Sequence, residues 1–430
     1  MRRLTVLPLA AATFFVVSGG PYGLEELLAR AGYRDALLVL AATPLIWSVP
    51  TALMVAELSS ALPQDGGYYR WVERALGPFW GFQEAWLSLA ASFVDVAIYP
   101  TLFLLYLGRL VPAAASGLPG LAVGAAMISA CVFWNVRGAK AVTGGSILLG
   151  VALLAPFALL AVGSLGQPAH PVPQHPHGGL VVGMLIAMWN YMGWDNISTI
   201  GGEVERPQRS YPRALLLAMG LIVVSYFLPV LAVQRAGIDP GDWTTGAWVD
   251  AGVAIGGRWL GLGVVVGGMV CAVGMFNALV MSYSRLPMAL ADDGLLPAFI
   301  GWRHPRSGAP WVAIALCSAI YAACLGFGFN KLIELDVMIY GLSLLLEFIA
   351  LAVLRLKEPD LTRPFRVPGG LCGALLVGVM PIGLLVVAAL RGRYEEVGTV
   401  NTLALSLGVV ALGPPLYGLS SLLRRARTSA

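Results

Sequence analysis

Val17-Ser18-Gly19-Gly20-Pro21-Tyr22-Gly23 cuts through an apolar run that extends over residues 4–30. A second interruption of the same kind, Asn190-Tyr191-Met192-Gly193-Trp194-Asp195-Asn196, cuts the run over 180–203. Glycine and proline release backbone N–H and C=O groups from the helical ladder. Hydrocarbon has no partner for those groups, so a break at membrane depth persists where it lines a cavity or a ligand site. Corresponding breaks in two halves of a chain point to an inverted-repeat transporter with its site near the membrane midplane. A half-helix beginning at Gly20 would turn N–H groups and the positive end of its dipole toward an anionic ligand group, and the carbonyls of Asn190 to Gly193 would accept from an ammonium.

The rest of the chain has the composition for this. Of its 430 residues 58% are hydrophobic and 12% charged, with a mean hydropathy of +0.79, whereas soluble chains run about 45–50% apolar and about 25% charged. A crossing of the bilayer core takes about 20 apolar residues. Such runs lie near 4–30, 36–62, 79–111, 119–135, 141–164, 180–203, 212–233, 258–290, 309–326, 332–354, 370–390 and 400–422, which leaves no room for a soluble domain. With the N-terminus in the cytoplasm, 19 of the 27 Lys and Arg residues fall on the inner side, so the positive-inside bias predicts an even span count with both termini cytoplasmic. The first run is read as a retained span rather than a signal peptide, because it leads into a second helical piece and many further spans.

Several classes are excluded. A net charge of +4 gives no nucleic-acid signature. The five cysteines form no C-x-x-C pair and read as small core residues. The segment 167–179 is Pro-rich and holds His170, His175 and His177; it reads as an extended outer linker, with no metal expected. No metal-ligand, nucleophile or phosphate motif lies in the spans, so neither an enzyme nor a cofactor is expected.

Carboxylates inside the apolar runs carry the chemistry, since a charge at the bilayer centre costs roughly 2.5–3.5 kcal/mol on insertion scales. Asp195 follows the second break directly and stands four residues after Tyr191, as a substrate or proton site or as a cap on the following half-helix. Asp95 lies in mid-span with Tyr99 on the same face. Glu347 shares a face with Tyr340 and Ser343, while Glu57 and Glu84 fall near cytoplasmic span ends, where snorkelling or pairing with an arginine at a cytoplasmic gate is the better reading. Glu25 and Glu26, just past the first break, would attract cations from outside or stabilise an exposed half-helix. Tyr22, Trp189, Tyr191 and Trp194 near the breaks suit a cage whose ring faces attract an ammonium.

Four motifs stand in register along the chain: Ala56-Glu57-Leu58 with Pro63-Gln64-Asp65-Gly66-Gly67-Tyr68; Gly202-Glu203-Val204-Glu205-Arg206-Pro207; Ser284-Arg285 with Asp292-Asp293-Gly294; and Arg363-Pro364-Phe365-Arg366-Val367-Pro368. Together they resemble the amino acid/polyamine/organocation superfamily. Leu76-Gly77-Pro78-Phe79-Trp80-Gly81, Trp194-Asp195 and Gly274-Met275-Phe276 add a resemblance to plant-type polyamine uptake and L-type amino acid permeases. The resemblance implies the five-plus-five inverted-repeat fold of the leucine-transporter type, uptake coupled to protons, and an aromatic gate and an acid at the positions of Trp189 and Asp195. Two departures stand out. Ser18-Gly19-Gly20-Pro21 replaces the family's usual G-S/A-G, and no lysine lies in 141–164, so a carboxylate must carry any proton.

The expectation is therefore an all-α membrane protein of about twelve spans forming one domain over 1–430, with repeats over about 4–164 and 180–354 and extra helices over about 370–422. It is expected in the cell membrane, importing polyamines or basic amino acids by proton symport. Neutral amino acid permeation or exchange is the alternative within transport, and a channel or membrane sensor the alternative outside it. Substrate contacts are expected from Gly19, Gly20, Tyr22, Asp95, Tyr99, Trp189, Tyr191, Trp194, Asp195 and Phe276, and proton coupling from Asp195, Asp95 and Glu347.

Overall fold

In the bilayer a backbone can satisfy its polar groups within a helix, and Leu-, Ala- and Val-rich runs of this length fold accordingly. The computed structural model describes residues 4–171, 180–324, 329–391, 396–397 and 400–428; His175 and His177 lie outside them. Among the described residues nine helices are long and apolar enough to cross a membrane, and Val6–Val17 and Trp311–Ala323 are shorter apolar helices. With Leu180–Asn190 as the first half of the sixth span, the chain makes about twelve crossings. Short helices at Tyr68–Leu76, Pro112–Ala115 and Arg285–Asp292, a few 3₁₀ turns and a minimal antiparallel pairing of Glu396–Val397 with Val400–Asn401 complete the regular structure of the described residues.

The first span comprises Val6–Val17, a break, and a helix from Glu25. Gly32, at φ 65°, separates that helix from the second span, which runs through a π-turn at Pro44–Ser48 to Ala61. Then follow Pro78–Gly108, Gly117–Val136 and Ala139–Leu165 as spans three to five, Pro207–Arg235 as seven, Trp248–Tyr283 as eight, Phe329–Lys357 as ten, Gly370–Arg391 as eleven and Thr402–Thr428 as twelve. Spans three, eight and ten are mostly enclosed, whereas four, five, eleven and twelve lie largely at the surface. That surface is apolar: Leu118 is 82% exposed and Trp259 80%. Such a belt is stable against lipid and not against water. Span three packs on spans eight and ten, the first span packs on the fifth, seventh and eighth, and the helix after Gly23 packs on Leu180–Asn190.

Two local expectations are corrected. The half-helix of the first span begins at Glu25, not at Gly20; Gly20 has φ 69° and Gly23 φ 99°, so both stand in the left-handed region. The Glu25 carboxylate accepts from the Gly23 N–H at 2.7 Å, which fixes the start of the helix five residues later. In the sixth span the segment after the break is not an α-helix but two 3₁₀ turns, Asn196–Thr199 and Gly201–Glu203. There the Thr199 hydroxyl donates to the Asn196 carbonyl at 2.9 Å, a local bond that competes with the helical ladder. Asp195 precedes the first turn without making a side-chain capping bond.

Candidate functional site

The two breaks lie against each other and run in opposite directions. A side chain at Gly193 would collide with the Val16 carbonyl, and one at Gly23 would come within 3.1 Å of both Asn190 Oδ1 and the Trp189 ring. Residues 16–23 thus face residues 189–193. The opened backbone is partly satisfied from within: the Gly20 N–H donates to Ser18 Oγ at 3.0 Å, the Tyr226 hydroxyl to the Asn190 carbonyl, the Tyr340 hydroxyl oxygen accepts from the Gly193 N–H at 3.0 Å, and the Asn196 N–H donates to the Gly193 carbonyl at 3.2 Å.

Between the breaks and spans three, eight and ten lies a cavity of about 30 Å³. That is room for a water molecule, so a solute enters only when the helices move apart. Its walls include Ser18, Gly19, Tyr22, Asp95, Tyr99 and Trp189, joined by Asp336, Tyr340, Tyr283 and Tyr226. Two of these groups are carboxylates and none is Lys, Arg or His. Asp95 accepts from the Tyr99 hydroxyl at 3.0 Å, and Asp336 lies near enough to Asp95 and Asp195 for their charges to interact. The cavity is therefore an electronegative, aromatic-walled space.

Other expected contacts do not line it. Asp195 is buried behind Tyr340, whose hydroxyl donates to it. Tyr191 packs edge-on against Tyr226 and donates to the Leu40 carbonyl at 3.2 Å; Trp194 is fully buried; Phe276 sits 6.1 Å from Tyr321; and Gly20 lies beside Leu153. Tyr22 reaches the cavity while its hydroxyl donates to the Val264 carbonyl at 2.6 Å.

Behind Tyr340 the buried acids gather. Glu84 accepts from the Ser343 hydroxyl at 2.6 Å and from the Ser88 hydroxyl at 3.2 Å. Glu347 is fully buried, and no N–H or O–H donor among the described residues reaches either of its oxygens. Asp195 is within hydrogen-bonding reach of Glu347, and Glu84 interacts with both. Like charges about 4 Å apart repel by about 4 kcal/mol at an effective dielectric constant of about 20.

Glu25 is neither exposed nor at the entrance. It is 1% exposed and accepts from the Gly23 N–H, from the Tyr106 hydroxyl at 3.0 Å and from the Gly246 N–H at 3.1 Å, which corrects the picture of an exposed half-helix carrying it. It ties the first break to the third span and to the loop before the eighth.

The four sequence motifs meet at the end of the bundle where Leu4 bonds to Glu203 and Ser420 to Leu295. Glu57 takes Arg355 and Arg363, and its Oε2 also accepts from the Val367 N–H at 2.7 Å. Gly66 and Asp65 bond to Thr199 and Gly202, clamping the loop after span two onto the 3₁₀ turns. Arg285 reaches Glu203 at 2.8 Å, and Arg70 and Tyr69 both reach Asp293. These residues close one end of the bundle and do not touch the cavity.

Asp336 escaped the sequence reading, although it carries a signal. Asp336 and Tyr340 repeat the spacing of Asp95 and Tyr99 in another span, one helical turn that brings both side chains to one face. Tyr226 and Tyr283 carry no comparable signal, since tyrosines in mid-span are usually packing residues.

The sequence model of the amino acid permease family matches residues 11–409. The polyamine transporter RMV1 of Arabidopsis thaliana is 35% identical over 422 residues, covering 95% of this chain and 84% of the relative. The polyamine transporter PUT1 of Oryza sativa subsp. japonica is 35% identical over 418 residues, covering 96% and 77%. The serine/threonine exchanger SteT of Bacillus subtilis is 25% identical over 399 residues, covering 86% and 85%.

Proposed function

This chain belongs to the amino acid permease family, within the amino acid/polyamine/organocation superfamily and close to the plant polyamine transporters, and on that footing we propose that it imports polyamines or basic amino acids by proton symport with alternating access. That it is a multi-pass membrane transporter of amino acids or polyamines follows from the family and the relatives. The finer reading rests chiefly on one observation: Asp95 and Asp336 both line a cavity that, among the described residues, holds no basic side chain. Two carboxylates in a low-dielectric space favour a solute with two separated ammonium groups, and the rings of Tyr22 and Trp189 add attraction for a cation. A neutral amino acid brings one ammonium and one carboxylate, which pairs one wall charge and sets the other against a like charge.

The contact between the breaks of spans one and six supports the five-plus-five repeat, with the final two spans outside it. The contracted cavity supports alternating access, because loading requires a different arrangement of the helices. The clamps at this end of the bundle would form the cytoplasmic gate in the cell membrane, consistent with the excess of Lys and Arg on that side. Asp95, Asp195 and Glu347 are the acids available to carry the coupled proton.

The test is uptake of radiolabelled putrescine, spermidine, arginine and leucine into proteoliposomes with an imposed pH gradient. Gradient-driven accumulation of the polyamines, reduced by Asp195→Asn, is the expected result. Accumulation of leucine in preference to every cation would overturn the substrate class, and uptake indifferent to the gradient would overturn symport.

A further inference from the structure

Glu347 lies fully buried with both carboxyl oxygens out of reach of any N–H or O–H donor among the described residues, and one oxygen of Glu84 is in the same position. Among the described residues the titratable groups around Glu347 are acids and phenols: Asp195 after the sixth-span break, Glu84 from span three, Tyr68 from the helix Tyr68–Leu76, and Tyr340 from its own span. Tyr283 of span eight adds a further phenol, which accepts from the Asn196 side chain at 3.2 Å. The arginine nearest in its own span, Arg355 eight residues on, is engaged by Glu57. Yet Asp195 and Glu347 stand within hydrogen-bonding reach of each other. Two carboxylates have only acceptor atoms and repel at that range, whereas a carboxylic acid and a carboxylate make a short, charge-assisted hydrogen bond.

We propose that Asp195, Glu347 and Glu84 form a proton-binding site separate from the substrate cavity, holding one shared proton between the Asp195 and Glu347 carboxyls and communicating with the cavity through Tyr340. Tyr340 lines the cavity and donates to Asp195, so the pair lies one side chain away from the solute. When the cavity opens, the proton leaves the pair as hydronium through water reaching Asp195. The pair then carries two negative charges until a proton returns by the same route. Ser343 and Ser88 both donate to one oxygen of Glu84 and hold it against the pair. The coupling role of this proton rests on the transport reading above; its presence in the resting protein does not.

The experiment therefore begins without solute. Infrared spectra of the purified full-length protein at neutral pH are expected to show a protonated-carboxyl stretch that Glu347→Gln removes and Glu84→Gln shifts. Asp195→Asn serves as a second variant should Glu347→Gln fail to fold, and it shifts the band, because the buried Glu347 keeps a proton once its carboxylate partner is gone. Identical spectra for wild type and both pair variants would overturn the site. A sodium-dependent rise in the unfolding temperature that Glu347→Gln abolishes would also overturn it, by assigning the carboxyls to a metal cation. In proteoliposomes, the number of protons moved per putrescine is expected to fall from about one toward zero in Glu347→Gln. A wild-type protein that shows the band but accumulates no cation leaves the proton site standing and refutes the substrate class alone.

Discussion

Arg355 grips Glu57 with two parallel hydrogen bonds, Nε to Oε1 at 2.9 Å and Nη2 to Oε2 at 2.5 Å, with both side chains almost completely withdrawn from solvent. The same guanidinium donates to the Val367 carbonyl at 2.8 Å and to the Gly370 carbonyl, so a single side chain ties span two to the connection between spans ten and eleven. Removing Arg355 leaves the buried Glu57 with the longer Arg363 contact at 3.3 Å and the Val367 N–H, so the loss is a large part of what a fully uncompensated buried charge costs, about 3–5 kcal/mol. Arg355→Ala is expected to lower the unfolding temperature in detergent sharply. Arg355→Lys is expected to recover little, because an ammonium cannot reproduce the planar fork. Full recovery by lysine would show that charge alone matters there.

Asp65 provides a pH test outside the membrane. Burial above all, and then the neighbouring Glu203 carboxylate, push its carboxyl above the ordinary range, against the lowering effect of the Gly202 N–H bond. A folded state that holds the proton more tightly than the unfolded chain is favoured at low pH. Stability from this group therefore declines as pH rises from the ordinary carboxylate range, near about 4, through the raised value. Asp65→Asn keeps an acceptor for Gly202, now at 2.9 Å, and removes the charge. Its unfolding temperature is expected to decline less over that window than the wild type's; parallel curves would refute the assignment.

What the sequence discloses and what it conceals divides along physical lines. The breaks at Ser18–Gly23 and Asn190–Gly193 are visible because their cause is local: residues that cannot or need not complete a helix. The register of the first half-helix is not visible, since it depends on the Glu25 carboxylate turning back to the Gly23 N–H rather than outward to solvent. Glu347 and Glu84 can be recognised as costly in-span acids, but 263 positions separate them in the numbering and only packing brings both to Asp195. Asp336 was concealed by its setting near the start of an apolar run, where an acid reads as a span end. The family motifs were legible as a resemblance, and the structure gives them a mechanical meaning as clamps far from the cavity.

Gly193 tests the contact between the breaks. Its φ of 91° is a conformation that L side chains rarely adopt, and a methyl group there would collide with the Val16 carbonyl. The backbone strain alone is worth roughly 1–3 kcal/mol, and the collision forces the two breaks apart. Gly193→Ala is expected to abolish uptake and to reduce the yield of folded protein. Were the breaks not in contact, the variant would lose stability while transport per folded molecule stayed near the wild-type value; that comparison, made on size-selected protein, decides the matter.

Asp336 and Asp95 together make the most specific claim about the solute. If each holds one ammonium, loss of either removes one charged hydrogen bond, worth about 1.5–3 kcal/mol, which is roughly a 10- to 100-fold rise in KM. Asp336→Asn is expected to raise the KM for putrescine by that factor while hardly changing the weak inhibition by butylamine, which has one ammonium and the same chain length. Asp95→Asn is expected to raise the KM for putrescine comparably. In the double variant putrescine and butylamine should converge, because neither end of the diamine then meets a charge. A loss in Asp336→Asn that is equal for the monoamine and the diamine would show that Asp336 shapes the field of the cavity as a whole instead of holding the second nitrogen.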